Sequence, residues 1–191
     1  NLKPFIMKRI LFLATIIALV STPGCKKSTS TATCGNGTFN CTINGVSFAA
    51  ASTNESTLLK SSYGGTPVKR MDIRAKAADG KYIILTITNL QNAGSGDGVV
   101  LKDYFADVTK NYSNAAGYEG ALTTYTQGST TTLGQSSVAG GSSNYKITIT
   151  SCDETAHTVA GTFNMDLDDY TGNGNSYAVS GSFSNVCYTV R

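Results

Sequence analysis

The side chains with the strongest acid-base chemistry are few in this sequence. His157 is the only histidine, so a serine or cysteine triad would have to use it as the general base. Glu154 lies three residues away, but the chain has no G-x-S-x-G elbow to supply a nucleophile. Two interpretations follow: a general base near Glu154, or a surface or strand-end histidine near Cys187. The missing partners favour the second, so we predict no catalytic residue and no enzyme.

Carboxylates suggest two further kinds of site. Acidic and amide side chains cluster between residues 166 and 175, and hard cations such as Ca²⁺ bind several such oxygens. Their spacing departs from the EF-hand pattern, so solvated turn residues explain them better and no metal is predicted. Acidic residues of the middle segment could form the pair that glycoside hydrolysis needs, but any β protein of this size contains such pairs. The cation candidates are Asp166, Asp168, Asp169, Asn173 and Asn175, and the acidic candidates are Asp103, Asp107 and Glu119.

Tyrosines are the remaining side chains that suggest ligand binding. Four of them lie in a polar middle segment, where phenol rings could stack on sugar rings or on a protein partner. The chain has no tryptophan, which weakens the case for a carbohydrate, and β-sheets are rich in tyrosine in any case. Ligand binding and core packing both stay open. The ligand-binding candidates are Tyr104, Tyr112, Tyr118 and Tyr125.

The N-terminal residues have the three parts of an export signal. Lys8 and Arg9 supply positive charge, and residues 10–20 are apolar apart from Thr15. An apolar run of this length is far below the roughly 20 residues that a helix needs to cross a bilayer. It therefore favours a cleaved signal over a permanent transmembrane anchor. Met7 is the natural start of this signal, and residues 1–6 are interpreted as an upstream extension.

The peptidase that cleaves the signal is indicated by Cys25. The segment Leu19 to Cys25 resembles the lipobox of bacterial lipoproteins, in which the cysteine thiol receives a diacylglycerol and the new N-terminus is acylated. Acyl chains contribute about 0.8 kcal/mol per buried methylene, so several of them make a durable membrane anchor. We predict a lipoprotein signal over 1–24, lipidation at Cys25, a flexible tether over 25–36 and a single β domain over 37–191. The alternative is a secreted protein with an incidental Cys25.

Charge is concentrated in the predicted signal. Three of the 15 basic residues belong to it, and without them 12 basic residues balance 12 acidic ones. Neither nucleic acid nor an anionic membrane surface is therefore predicted as a partner. The glycine-rich stretches at 94–98 and 140–141 lack the lysine and helix of a phosphate-binding loop, so no cofactor is predicted. The 20 glycines and many Thr, Ser, Asn and Tyr residues are typical of strands and turns.

Four cysteines besides Cys25 are available for disulfides. An even number in an oxidising compartment is typical of two disulfides, and four cysteines allow three connectivities. No two of them have the C-x-x-C spacing of a zinc or redox site. All three connectivities stay open, and the preferred pairing is Cys34 with Cys41 and Cys152 with Cys187.

Two hairpins can be predicted with their registers. Asn44-Gly45 is the strongest two-residue hairpin signal, and it pairs Cys41 with Phe48 and Ile43 with Val46. At Asp79-Gly80 a two-residue loop would mix the polar and apolar faces. A three-residue loop over 78–80, with Gly80 left-handed, keeps the apolar residues together on one face. It pairs Ile73 with Leu85 and Met71 with Ile87, and it turns Asp72, Arg74 and Lys76 to solvent.

The last three predicted strands form a meander over 145–150, 158–168 and 176–190. Turns at Asp153-Glu154 and at 171–175 join them, and centring the second turn on Gly172 fixes the register. Each of two phenylalanine rings would then lie over a glycine of the neighbouring strand and cover its bare backbone. The predicted pairs are Gly161 with Phe183, Phe163 with Gly181, Met165 with Val179 and Leu167 with Tyr177.

The middle of the chain is the least regular part. Apolar residues between 100 and 108 have helical spacing but β-prone side chains, so a short helix and a bent strand both stay open. Residues 121–127 are predicted as a strand, and 128–144 as a long polar loop. The predicted fold is therefore all-β: an antiparallel β-sandwich or partly open barrel built of hairpins and a C-terminal meander.

The signal, the Asn44-Gly45 turn and the late strands together resemble a family of small Bacteroidota lipoproteins known only as a domain of unknown function. The resembling blocks are Val46-Ser47-Phe48, Lys146–Ser151, Val159–Phe163 and Val179–Val186. The resemblance implies an envelope address and an all-β domain, and it carries no catalytic residues. Surface-exported members often have acidic residues after the lipidated cysteine, whereas this chain has Lys26-Lys27. It therefore implies an outer-membrane anchor on the periplasmic side, with the cell surface as the alternative.

Three functions are consistent with these patterns. The leading hypothesis is a membrane-tethered, non-catalytic binding or accessory module, whose ligand is a glycan, a peptide or a partner envelope protein met by the loops of residues 89–144. The second hypothesis is a structural envelope subunit without a small ligand. The third, a hydrolase, would need a concave site that brings His157 or two carboxylates together.

Overall fold

A computed structural model describes residues 37–63, 66–89, 96–105, 120–127, 131–133, 145–168 and 176–191. The predicted signal, Cys25, the tether and Cys34 lie outside these residues. Several other candidates lie outside them too, namely Asp107, Tyr112, Tyr118, Glu119, Asp169, Asn173 and Asn175.

The all-β prediction is confirmed, since the described residues form eleven strands and no helix. No helix long and apolar enough to span a bilayer occurs in the ranges described above. The strands are β1 Thr38–Ile43, β2 Val46–Ser52, β3 Ser56–Tyr63, β4 Thr66–Ala77, β5 Tyr82–Asn89, β6 Asp103–Phe105, β7 Gly120–Gln127, β8 Thr131–Leu133, β9 Lys146–Asp153, β10 Thr158–Asp168 and β11 Ser176–Val190.

Five of these strands close into a barrel. Strands β11, β1, β2, β4 and β3 are hydrogen-bonded in that cyclic order, and β3 completes the ring by pairing with β11. That last pair is parallel, whereas the other strand pairs of the described residues are antiparallel, as predicted. The strand β3 was itself not predicted, because its segment mixes Ser, Thr, Leu and Lys without a clear alternation.

The remaining strands extend the sheet on both sides of the barrel. Beyond β11 follow β10, β9 and β6, and beyond β4 follow β5, β7 and β8. The two extensions pack face to face, since Thr123 Oγ1 of β7 donates a hydrogen bond to Met165 Sδ of β10 at 2.8 Å. The molecule thus combines a closed barrel with two facing sheets, and bent β2 and β11 take part in both.

The registers of both predicted hairpins are confirmed. Ile43 pairs with Val46 across a turn in which Asn44 and Gly45 have φ values of 49° and 77°, as a tight hairpin turn requires. In the second hairpin, the Ala77 amide donates to the Lys81 carbonyl around a three-residue loop with Gly80 at φ 86°. The pairs Cys41 with Phe48, Ile73 with Leu85 and Met71 with Ile87 form as predicted.

The prediction that Asp72 faces solvent is wrong. Its side chain is only 2% exposed, although Arg74 and Lys76 on the same strand face are partly or fully exposed. It accepts hydrogen bonds from Thr86 Oγ1 at 2.8 Å and from Arg70 Nε at 2.9 Å. Side chains from two strands therefore cover the carboxylate and satisfy it, which strand alternation alone does not reveal.

The predicted meander is confirmed pair by pair. Gly161 lies opposite Phe183, and Phe163 lies opposite Gly181. A Cβ added at Gly161 would lie 2.7 Å from Phe183 Cζ, and one at Gly181 would lie 2.8 Å from Phe163 Cζ. Each ring therefore covers the backbone of a glycine, and no larger residue fits at either place. Met165 with Val179 and Leu167 with Tyr177 continue the same register.

The middle of the chain agrees with its predictions in two places and differs in one. The segment with helical spacing contains a short strand, β6, which pairs with β9 at the edge of the sheet. The strand predicted over 121–127 is confirmed as β7. The loop predicted over 128–144 is wrong at Thr131–Leu133, which forms β8 against β7.

The preferred disulfide pairing is wrong. Cys41 and Cys152 are free thiols, so neither can take part in the pair proposed for it. Cys152 lies on β9 and Cys187 on β11, and β10 runs between them, which separates them by two strand spacings of about 4.8 Å. Cys187 is disulfide-bonded.

Candidate functional site

Two of the four candidate tyrosines lie among the described residues, and both are buried. Tyr104 is 1% exposed, and its hydroxyl donates a hydrogen bond to the Val100 carbonyl at 2.7 Å. Tyr104 is therefore a core residue, which agrees with the core-packing alternative and not with ligand binding. Tyr125 is 6% exposed but lies at the edge of an open cleft.

The cleft has a volume of about 640 Å³ and lies between the tips of the two confirmed hairpins. The turn of β1 and β2 forms one side, and the turn of β4 and β5 forms the other. Strand β7 and the first residues of β11 complete it. Its apolar lining consists of Ile43, Val46, Phe48, Ala49, Ala77, Ala78, Tyr125 and Tyr177.

The hairpin tip of β1 and β2 is held firmly against β11. The Asn44 amide donates to the Ala178 carbonyl at 2.8 Å, and Asn44 Oδ1 accepts from the Ala178 amide at 2.7 Å. Val46 follows this clamped turn and is 70% exposed, the largest value among the exposed large hydrophobic residues of the described chain. An apolar side chain on a rigid support is thus presented to the cleft rather than to the core.

The floor of the cleft is aromatic. The Phe48 and Tyr125 rings meet edge to face, with centroids 6.2 Å apart and an interplanar angle of 85°. Burial raises the pKa of the Tyr125 hydroxyl, and the nearby Lys81 ammonium acts in the opposite direction. The phenol therefore stays protonated at neutral pH and can donate or accept a hydrogen bond at the edge of the cleft.

An ion pair forms the polar part of the rim. Lys81 Nζ lies 2.8 Å from Asp79 Oδ2, and the Lys81 amide donates to Asp79 Oδ1 at 3.2 Å. The hydrogen bond from Lys81 is the main reason why the pKa of Asp79 is lowered. The cleft thus combines an apolar floor with one positive and one negative group at its edge.

Sequence reasoning missed this cleft although it predicted both of its hairpins. Val46 and Phe48 lie on the same face of β2, which the alternation assigns to the core. Phe48 is covered, but Val46 is left exposed in the lining of the cleft. The signal that could have identified the cleft is an apolar residue placed directly after a tight turn, at the tip of a hairpin.

A second group of side chains, here called the polar cluster, surrounds Asp97 at the other end of β11. It consists of Lys60, Asp97, Glu154, His157 and Tyr188. Asp97 forms an ion pair with Lys60, and its amide donates to Glu154 Oε2 at 3.0 Å. His157 Nε2 lies 4.0 Å from Asp97 Oδ2, and the imidazole ring lies 5.4 Å from that of Tyr188.

The polar cluster uses its hydrogen-bonding groups within the protein. Tyr188 donates to the Asp97 carbonyl at 2.6 Å, so the Cys152 thiol, 3.6 Å away, is the donor to the Tyr188 oxygen. Burial is the main cause of the raised pKa of Tyr188. Buried Lys69 donates to the Gly98 carbonyl at 3.1 Å. These contacts pin the segment around Asp97 to the barrel and agree with a structural role for His157.

The other predicted site residues do not converge on one place. Asp103 binds Lys146 and Thr148, and the hydrogen bond from Lys146 is the main cause of its lowered pKa. Asp166 accepts a hydrogen bond from the Tyr145 hydroxyl. Within the described ranges, no group of three or more His, Cys, Asp and Glu residues is arranged to hold a metal ion.

Comparison of the chain with protein-family models, with curated proteins and with solved structures found no match. The resemblance to small Bacteroidota lipoproteins therefore stays a prediction. The cleft between the two hairpin tips is the candidate functional site on its geometry alone.

Proposed function

We propose that the domain is a non-catalytic binding module and that its cleft takes the apolar group of an amphipathic ligand. The observation that carries this proposal is the 70% exposure of Val46 on a turn that is clamped to β11. Exposed apolar surface on a rigid support costs free energy in water, about 25 cal/mol per Å², and a ligand recovers it.

The size and lining of the cleft support the same proposal. Small-molecule sites occupy roughly 300–1,000 Å³, are mainly apolar and contain a few polar groups that orient the ligand. The cleft of about 640 Å³ falls in this range, and Lys81, Asp79 and the Tyr125 hydroxyl supply polar groups. An apolar ligand group would contact Val46 and Phe48.

A peptide side chain or another hydrocarbon group fits this cleft better than a sugar. Sugar rings stack on exposed aromatic faces, but Phe48 and Tyr125 are both buried and meet edge to face. The most exposed large hydrophobic residue of the lining, Val46, is aliphatic. We therefore place a large apolar side chain of an envelope peptide or protein ahead of a glycan.

Binding of N-phenyl-1-naphthylamine, a neutral apolar fluorophore, tests the proposal. We expect saturable fluorescence with one site per chain, and at least tenfold weaker binding by the variant Val46→Asp. Tenfold corresponds to about 1.4 kcal/mol, which is within the range for burying a valine side chain. The matched control is Leu101→Asp, because Leu101 is another exposed aliphatic residue, outside the cleft.

Equal loss of binding in Val46→Asp and Leu101→Asp would contradict the assignment to the cleft. Absence of saturable binding to the unmodified protein would favour a structural envelope subunit instead. If a neutral oligosaccharide changes the chemical shifts of cleft residues and the fluorophore does not, the ligand of the cleft is a sugar and not an apolar group.

The membrane tether is a separate part of the proposal and rests on the sequence alone. We propose lipidation at Cys25 and an outer-membrane anchor on the periplasmic side. The variant Cys25→Ser is expected to lose incorporation of labelled palmitate and to leave the detergent phase. External protease on intact cells should spare the protein until lysis, and loss before lysis would place it on the cell surface.

A further inference from the structure

A second pocket, here called the basic pocket, lies on the outer face of β4 and β5. Its volume is about 410 Å³. It is lined by Ser52 at the end of β2, Glu55 in the following turn, Arg74 and Lys76 of β4, and Tyr82 and Ile84 of β5. It differs from the cleft in lining, since two of these residues are cationic and only one is anionic.

The register of three strands brings these residues together. Lys76 pairs with Ser52 on one side and with Tyr82 on the other, and Arg74 pairs with Ile84 in the adjacent row. Residues two apart on a strand point to the same face at about 7 Å spacing. The guanidinium of Arg74 and the ammonium of Lys76 therefore rise from the same wall of the basic pocket.

Arg74 has unused hydrogen-bonding capacity. Its Nε is the one buried side-chain nitrogen or oxygen without a hydrogen-bond partner in the described part of the chain. Its Nη2 lies 3.7 Å from Asp72 Oδ2, which is too long for a good hydrogen bond, whereas Arg70 Nε binds the same carboxylate at 2.9 Å. A buried donor without a hydrogen-bond partner destabilises the folded state, because it has given up its hydrogen bond to water.

We propose that the basic pocket binds a small carboxylate, which completes the hydrogen bonding of Arg74. The Arg74 side chain is 40% exposed, so its guanidinium can turn to offer Nε and one Nη to the two carboxylate oxygens. Lys76 adds a second positive charge, and Ile84 offers an apolar surface to the rest of the ligand. This site does not depend on the cleft or on its ligand.

Titration of the isotopically labelled protein with sodium acetate, at constant ionic strength kept with sodium chloride, tests the basic pocket by NMR. We expect saturable shifts of the Arg74 Nε–H and Lys76 signals. The variant Arg74→Gln should weaken acetate binding about tenfold, and Lys76→Gln about threefold. Glu55→Gln should strengthen acetate binding, because it removes a negative charge from the lining of the basic pocket.

Two controls keep the result specific. Lys60→Gln removes a positive charge outside the basic pocket and should leave acetate binding unchanged. Arg74→Lys keeps the positive charge but loses the planar guanidinium, so it should bind acetate more tightly than Arg74→Gln and more weakly than the unmodified protein. An unchanged fold of Arg74→Lys would show that its weaker binding is not caused by a loss of structure.

Several outcomes would overturn the proposal. They are the absence of saturable acetate shifts, equal binding by Arg74→Gln, and equal weakening by Lys60→Gln. Inorganic phosphate that binds more tightly than acetate, with the same dependence on Arg74, would also overturn it, since a tetrahedral anion would then be the ligand.

Discussion

The two ends of strand β11 use similar side chains for opposite purposes. Tyr177 near its start lines the open cleft, and Tyr188 near its end is buried in the polar cluster. An acidic residue with a lowered pKa and a lysine partner is present at both ends, as Asp79 with Lys81 and as Asp97 with Lys60. The chemical inventory of the two ends is therefore much the same.

What separates the two ends is how far their contacts are satisfied. At the polar cluster the backbone amide and carbonyl of Asp97 bind Glu154 and Tyr188, so the segment is locked in place. At the cleft, Val46 remains open on a rigid turn. The richer chemistry is thus structural, and the plainer surface is the candidate site. In this protein, a side chain that the fold leaves exposed on a rigid support is a better guide to a binding site than the type of residue.

The largest contrast is expected between the two free thiols. Cys41 lies opposite Phe48 beneath the cleft, and Cys152 is half-buried in contact with the polar cluster. Burial raises the pKa of Cys41 to about 12, so only about 10⁻⁴ of it is thiolate at pH 8. We expect iodoacetamide to modify Cys152 at least about 100-fold faster, as measured by mass spectrometry over time. Comparable rates in the folded protein, equal to those in guanidinium, would contradict the burial of Cys41.

A smaller contrast is expected between the two tyrosines. Tyr188→Phe removes the donor to the Asp97 carbonyl and the acceptor for Cys152, so it should lower the free energy of unfolding by about 1–3 kcal/mol. Tyr177→Phe should lower it by less than about 0.5 kcal/mol, as for most substitutions at partly exposed positions. Urea unfolding of both variants measures the difference. A loss at Tyr177 equal to that at Tyr188 would remove the distinction between the two ends.

The smallest contrast is expected in acid. Hydrogen bonds from Lys60 and Lys81 lower the pKa values of Asp97 and Asp79, respectively. A carboxyl whose pKa is lowered by folding stabilises the folded protein at pH values above its pKa in the unfolded chain, which is near 4. This stabilisation is lost as the pH falls through the lower pKa of the folded state. Asp97 is partly exposed, so its contribution should be only a few tenths of a kcal/mol.

Carboxyl-detected NMR titration of two matched variants tests this contrast. Lys60→Met should raise the pKa of Asp97 and flatten the acid dependence of stability, while Asp79 keeps its lowered pKa. Lys81→Met should raise the pKa of Asp79 and flatten the acid dependence less, because the Asp79 side chain is more exposed than that of Asp97, 54% against 43%. An unchanged Asp97 pKa in Lys60→Met would show that the ion pair is not the cause.

Much of the fold could be predicted because local rules determine it. The Asn44-Gly45 turn determines the register of the first hairpin. The register of the meander follows from placing Phe163 and Phe183 each opposite a glycine, since a slip of one residue would turn the apolar face to water. The candidate site was predicted less well. Of the named tyrosines, Tyr125 lies at the cleft and Tyr104 in the core, because alternation tells which face a ring is on and not what covers it.

The sequence by itself determined the two tight turns and the pairing within the two predicted hairpins and the meander, which follow from turn residues and from the alternation along each strand. Only the tertiary structure decided that β3 closes a barrel against β11 and that Asp72 is buried. It alone decided that Cys41 and Cys152 are free thiols and that Val46 is left exposed at the edge of a cleft. These features depend on contacts between segments far apart in the chain, whose free energy is a property of the assembled sheets and not of any local pattern.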